Sequence, residues 1–309
     1  MIEISIYKGV EAIILENGAL RAIVLPSVGG KIASIYRKDK EFELLFQNKS
    51  SAYKKAKIYE AFEKYDASGF DDAFPTIDAC LAEVGGGQVP YPDHGEIWSA
   101  EFIYKLVGKK AVLSYDSAIL PYRYTKSVWL EGDSVKLEYS IKNTGREEFP
   151  CIWAMHCLMN CEKDMRLIFP EGTDRMLNVR QSQFLGEAGR LHTYPGTESV
   201  KGERLRLDRI LPGNADNAEK YYAAGEVKEG ICGAYYPSKD VTCKVLFDKE
   251  KLPYLGFWVT EGGFRGDYNC ALEPTNGYYD SITTAQKEGR LYILKGGETL
   301  EFGLELELR

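Results

Sequence analysis

Histidine is scarce in this chain of 309 residues: it has three, His94, His156 and His192. Several other signals are missing. There is no excess of positive charge, since 39 Lys and Arg stand against 46 Asp and Glu for a net charge of −7. That argues against a nucleic-acid partner, which is usually met by a basic face. No run of about 18 apolar residues occurs, so no transmembrane helix and no membrane partner are expected. The start, MIEISIYKGVEAIIL, has an acid at position 3 and no basic region before an apolar core, so it does not read as a signal peptide. The seven cysteines are odd in number and form neither a disulfide framework nor a C-x-x-C motif. Reduced thiols and a cytoplasmic location are the expectation. Gly85-Gly86-Gly87 lacks the Lys-Ser/Thr of a phosphate loop. Arg-Gly-Asp at 265–267 is read as a chance triplet.

Aromatic residues, in contrast, are plentiful: 21 Tyr, 13 Phe and 4 Trp. They suit β-structure and surfaces that stack on sugar rings. The dominant pattern has period two. ILENGALRAIVLP is two apolar runs joined at Asn17-Gly18, a strong hairpin signal. SVWLEGDSVKLEYSIKN repeats the form and predicts Val135, Leu137, Tyr139 and Ile141 on one face, and GKKAVLSYDS adds a strand. KGGETLEFGLELEL predicts Leu300, Phe302, Leu304, Leu306 and Leu308 inward. One helix is predicted over 52–65, capped at Ser50 or Ser51, with Ala52, Ala56, Tyr59 and Phe62 as its stripe. Segment 171–230 reads as long loops with short strands. No repeat or linker divides the chain. The expectation is one unit over 1–309: a large antiparallel β-sandwich, all-β with one or few short helices.

The candidate chemistry starts in CALEPTNGYYDS, residues 270–281, where an apolar strand reaches a carboxylate, Glu273, followed at once by Pro274. The proline is expected to help end the strand there. On the residues alone, Glu273 is either a strand-end surface acid or a group aimed into a pocket. His94, in VPYPDHGEIW, reads as a loop residue before a strand starting near Ile97. His156, in FPCIWAMHCLMN, reads as a core histidine satisfied by the backbone. His192 reads as a surface-loop residue. Cys151, Cys157 and Cys161 share a strand parity that His156 does not, so no metal site is expected.

Six segments, in order, resemble the aldose 1-epimerase (galactose mutarotase-like) family. NGALRAIVLPSVGGKIASIYRK is similar to its opening hairpin and Gly-Gly-basic turn, and GFDDAFPTID to its acidic Phe-Pro-Thr segment. DHGEIW and WAMHCLMN resemble its two histidine segments, and YLGFWVTEGG and ALEPTNGYYDS its last core strands. The resemblance implies a galactose mutarotase-like β-supersandwich with an open sugar groove. It implies a cofactor-free isomerase that interconverts the anomers of a hexose or related aldose. Opening a hemiacetal ring needs a base at the C1 hydroxyl and an acid at the ring oxygen, which histidine and glutamate supply when their surroundings tune them. By resemblance Glu273 is the base, His156 the acid, and His94 a hydrogen-bonding neighbour.

The resemblance further implies substrate-binding places for Asp71 and Asp72, which otherwise read as an Asx turn, and for Lys31, which otherwise reads as solvated. Trp258 is expected to stack on a sugar, and Trp153 to be core. Family members use a further aspartate to hold a sugar hydroxyl; it has no clear match here, and Glu261 is the substitute considered. Two alternatives stay open: an epimerase for a phosphorylated or sulfonated sugar, with Arg123 and Arg265 as candidate anion ligands, and a carbohydrate-binding protein without catalysis. The expected partner is a small carbohydrate, and the expected state a monomer or homodimer.

Overall fold

Asn17 closes the first hairpin with its own side chain. Its Oδ1 accepts hydrogen bonds from the Ala19 and Leu20 amides at 2.9 and 2.7 Å. Strands Val10–Glu16 and Leu20–Leu25 pair antiparallel on either side. The Gly-Asp turn at 132–133 joins Tyr122–Glu131 to Ser134–Asn143, and there Gly132 takes φ +56°, where a Cβ is disfavoured. The residues predicted inward on Ser134–Asn143 and on the last strand, Thr299–Leu308, are buried, and the two strands pair.

The computed structural model describes residues 1–309. It is all-β, with a single short α-helix, Ile282–Lys287, and three 3-10 turns. A 13-stranded and an 8-stranded sheet form the body, with three small two-stranded sheets at the periphery. A cluster of 69 buried residues fills the space between the two large sheets. In the larger sheet Phe70–Ala73, Ala154–Cys157, Tyr268–Thr275, Tyr254–Glu261 and Asn217–Ala223 lie side by side in that order. No helix is long and apolar enough to cross a membrane.

Two local expectations are corrected. The helix predicted over 52–65 is absent; only Phe62–Lys64 makes a 3-10 turn. Tyr53, which lies off the predicted stripe, is buried against Val10, Ile23 and Ala33. Phe62 is buried in a different cluster, with Trp98, Leu158 and Ala271. Nine residues of helix would set these two anchors on opposite faces. The chain runs open between them instead and turns at Tyr59, whose φ is +69°. Ser50 caps no helix; its Oγ accepts from the Ala52 amide within a local turn. The strand expected near Ile97 is a 3-10 turn, Ile97–Ser99, and strand structure resumes at Ile103.

Candidate active site

Strand register brings the two principal candidates together. Ala154 pairs with Thr275, and Met159 with Cys270. That antiparallel register sets His156 opposite Glu273. On its other side His156 pairs with Asp71. Glu273 pairs with Gly256, and Gly256 with Tyr222. Residues directly opposite share a face with Cβ atoms about 4.5–5.5 Å apart. Asp71, His156, Glu273, Gly256 and Tyr222 therefore form one row across the sheet. The Glu273 strand does not end at the carboxylate. Pro274 and Thr275 continue it against Leu255 and Tyr254, because a proline removes only its own N–H from the ladder.

The middle of this row is the floor of a cleft of about 370 Å³, lined by His94, His156, Lys220, Trp258, Glu273 and Asp280 among others. That size is within the usual range for small-molecule sites. Gly256 leaves no room for a side chain beside Glu273. A Cβ there would come within 2.9 Å of Tyr222 Cζ and 3.2 Å of Glu273 Oε2. The His94-Gly95 pair is explained the same way. Gly95, at φ +72°, lies against the backbone of Phe74, where a Cβ would approach the carbonyl oxygen to 2.0 Å. The tight crossing turns His94 into the cleft at φ +57°. Its Nδ1 lies 2.8 Å from Asp93 Oδ1. Its ring stacks on Phe62 with centroids 4.2 Å apart and meets the His156 ring edge-on at 5.1 Å.

The charges on the floor are unevenly satisfied. Glu273 is 1 % exposed, and its Oε2 makes no hydrogen bond. Burial pushes its carboxyl above the ordinary range; Lys220 opposes that shift and Asp280 adds to it. Lys220 Nζ lies 3.3 Å from Glu273 Oε2 and 3.1 Å from Asp280 Oδ1. Burial alone would lower the Lys220 ammonium, but the two carboxylates push it up. Asp280 is also held by the Tyr222 hydroxyl, which donates to Oδ1 at 2.7 Å. Burial, with the charges of His94, Lys220 and Lys31, drives His156 well below the usual histidine value. Its Nδ1 is buried with no hydrogen-bond partner. A buried N–H without an acceptor is rarer than an unused lone pair, so the proton of the neutral ring sits on Nε2. His156 is buried as a core histidine would be, but at Nδ1 the backbone does not satisfy it.

Trp258 also lines the cleft, as a cross-strand neighbour of Lys220, with the Arg180 guanidinium 5.4 Å from its ring centroid. Six candidates do not line it. Asp71 shares the face of His156 but is sealed in a pair with Lys31 at 2.5 Å, and Lys31 Nζ also donates to the Ser68 carbonyl. Lys31 is thus neither solvated nor in the cleft. Asp72, one residue on, points through the sheet to Lys126 and the Tyr139 hydroxyl, both at 2.9 Å. Both aspartates belong to strand Phe70–Ala73 and make no turn. Glu261 faces away from the cleft by strand parity and binds the Leu211 amide and Asn217 Nδ2. The cation Lys220, from the strand beside it, stands in the cleft where resemblance implied an aspartate. Arg123 is exposed and paired with Asp116. Arg265 does not line the cleft and donates to the Glu63 and Tyr65 carbonyls. His192 is no surface residue: it sits buried in strand Leu191–Thr193, with Nε2 3.1 Å from the Leu185 carbonyl. Trp153 is in the core.

Sequence reasoning missed Lys220, Asp280 and Phe62. The signal for Lys220 was a lysine alternating with Ala218 and Tyr222 in NAEKYYA. Asp280 was passed over as part of the turn after Asn276-Gly277. No three His, Cys, Asp or Glu side chains converge in metal-ligand geometry.

No protein-family model matches the chain, and no curated protein sequence does. Solved structures do match. A galactose mutarotase-like protein from Lactobacillus casei aligns with a TM-score of 0.71 at 17% identity, over 96% of this chain and 100% of that one. A protein from Escherichia coli K12 described as a candidate aldose 1-epimerase aligns with a TM-score of 0.70 at 19% identity, over 99% of both chains. A galactose mutarotase-like protein from Clostridium acetobutylicum gives 0.70 at 16%, over 100% and 98%. At these identities the likeness speaks to architecture: the chain has the galactose mutarotase-like fold.

Proposed function

We propose that the protein is an aldose 1-epimerase: it interconverts the α and β anomers of a hexose or related aldose. The observation that carries this reading is the register of His156 against Glu273 on the floor of one cleft. Each presents a titratable group there, and the Glu273 carboxylate makes no hydrogen bond that would have to break before it accepts a proton. Glu273 takes the proton of the C1 hydroxyl as the bond between C1 and the ring oxygen breaks. The ring oxygen takes a proton from His156 in its imidazolium form, which leaves the neutral ring. The aldehyde carbon turns about the C1–C2 bond, and the same transfers in reverse close the ring on its other face. Each cycle returns both protons, so no electron acceptor is consumed. Trp258 offers an aromatic wall for the apolar face of the sugar.

A neutral sugar fits better than an anionic one. The lining carries Glu63, Asp78, Asp93, Asp267, Glu273 and Asp280 against Lys220 and Arg180. Lys220 is already neutralised by two carboxylates. Only Arg180 is left for a phosphate, and tight phosphate binding generally uses more than one donor group. The seven unpaired cysteines support a cytoplasmic location.

The test is anomer exchange of α-glucose, α-galactose and a wider aldose panel, followed by polarimetry and by NMR of the anomeric protons. Glu273→Gln and His156→Asn should each lower exchange about 10²–10⁴-fold while leaving sugar binding near wild type. The double variant should be little worse than either single, since both groups serve one cycle. Near-wild-type exchange in Glu273→Gln would remove the epimerase reading and leave a carbohydrate-binding protein.

A further inference from the structure

The cleft floor carries a cation that the ring-opening chemistry has not used. Lys220 comes from strand Asn217–Ala223, one strand beyond the neighbour of the Glu273 strand. Its side chain is 12% exposed and lies within ion-pair distance of two carboxylates. Neither contact is aligned as a hydrogen bond, and Glu273 Oε2, itself buried, has no hydrogen-bond partner. A charge 3.3 Å away that does not occupy the oxygen favours the carboxylate form and leaves it able to take a proton. Asp280 is fixed on the far side of Lys220 by the Tyr222 hydroxyl and by its own backbone, whose carbonyl accepts from the Ile77 and Asp78 amides.

We propose that Lys220 is a positioning residue for the base: tethered by Asp280, it holds Glu273 in its charged, proton-accepting form without touching the reacting atoms. This rests on the epimerase reading for its catalytic consequence, but not for its electrostatics. The groups facing Glu273 from the surrounding elements are His156 from its partner strand, and Lys220 and Tyr222 from Asn217–Ala223. Asp280 follows from the loop after its own strand, Asp78 from the segment beyond Phe70–Ala73, and His94 with Asp93 from the crossing loop. Among these groups Lys220 is the cation nearest to Glu273, and Asp280 is the anion that shares it. The two therefore act in opposite senses. Removing Lys220 destabilises the Glu273 carboxylate, so the base is lost at a higher pH. Removing the charge of Asp280 leaves Lys220 to Glu273 alone, so the base survives to a lower pH. Lys220 also disfavours the charged form of His156, so its loss lifts the alkaline limb as well.

The experiment is the pH profile of kcat/KM for anomer exchange in the wild type, Lys220→Met, Lys220→Arg and Asp280→Asn. Lys220→Met should move the acid limb upward by about 1–3 pH units, the usual effect of an opposite charge at this range, with a tenfold loss of rate per unit below the limb. Lys220→Arg should restore the limb. Asp280→Asn should move it downward. In parallel, side-chain carboxyl 13C shifts are titrated in glutamate-labelled protein, with Glu273→Gln assigning the resonance. The midpoint for Glu273 should rise in Lys220→Met and fall in Asp280→Asn. An unmoved midpoint in Lys220→Met, or a shift in the same direction in both variants, overturns the proposal. If the wild type exchanges no aldose, the epimerase reading falls and the carboxyl titration still decides the role of Lys220.

Discussion

Replacing Glu219 by glutamine should stabilise the protein above neutral pH and hardly affect it in acid. Glu219 lies on the same strand as Lys220 but on the opposite face, at the wall of a small cavity of about 40 Å³ that it shares with Asn217, Glu261 and Phe257. It is 5% exposed, and neither carboxylate oxygen has a hydrogen-bond partner. Burial, with the charge of Glu261 adding to it, pushes its carboxyl up to about 7 from the ordinary 4.5; the nearby Ser182 hydroxyl and Phe184 amide pull the other way without closing a hydrogen bond. Between those two values the folded chain holds a proton that the unfolded chain has released. Stability is therefore fully present below 4.5 and is lost as pH rises toward 7. At 1.36 kcal/mol per unit, that shift comes to about 3 kcal/mol. Glutamine does not titrate and is close to the protonated acid in shape. Urea unfolding of both proteins from pH 4 to 8.5 gives the difference directly, since every other group cancels. The variant should gain about 3 kcal/mol at pH 8 and almost nothing at pH 4. A difference that stays flat across this range would refute the reasoning and show Glu219 ionised beside an ordered water or cation.

Lys126→Met should cost about 3–5 kcal/mol of stability, because it strands Asp72 in a site where both side chains are 0% exposed. Lys126→Met with Asp72→Asn should recover much of that. Urea unfolding measures both, and a loss below about 1 kcal/mol in the single variant would contradict the sealed pair. Gly256→Ala should cost about 1–3 kcal/mol by overpacking against the Tyr222 ring and should depress anomer exchange through Glu273 Oε2, 3.2 Å from the added carbon. Unchanged exchange would show that the row across the sheet has slack there.

The hairpins were legible because one face of each strand meets the core and the other meets water. Val135 to Ile141 alternate with Lys136, Glu138 and Ser140, and burial follows that alternation. The site was legible only where a polar residue interrupted an apolar strand, as at His156 and Glu273. Strand Asn217–Ala223 hid Lys220 because both of its faces carry polar groups. Asn217 and Glu219 line the small cavity, and Lys220 lines the cleft, so no period-two contrast survives. Parity could have excluded Glu261. On Tyr254–Glu261 it belongs with Phe257 and Val259, whereas Trp258, of the opposite parity, faces the cleft. The segment 52–65 misled because lysines and glutamates spaced between apolar residues imitate a helix surface. Nothing local reveals that Tyr53 and Phe62 anchor in separate clusters.

Three lysines in this sheet sandwich are withdrawn from water, and their surroundings separate support from function. Lys126 meets Asp72 between the sheets with a tyrosine hydroxyl completing the set, and both side chains are fully buried. Lys31 meets Asp71 at 2.5 Å beneath the Ser68 carbonyl. Both are closed pairs, of the kind that costs much to break and little to replace whole. Lys220 differs in where it sits. Lys31 is also within reach of a second carboxylate, Asp66, and Asp71 Oδ1 also lacks a hydrogen bond, but neither Lys31 nor Asp71 lines the cleft, whereas Lys220 opens on it beside Glu273. A buried pair left incomplete is unfavourable unless something arrives to complete it. On the proposed epimerase reading, the group that completes the Glu273 carboxylate is the C1 hydroxyl of a sugar.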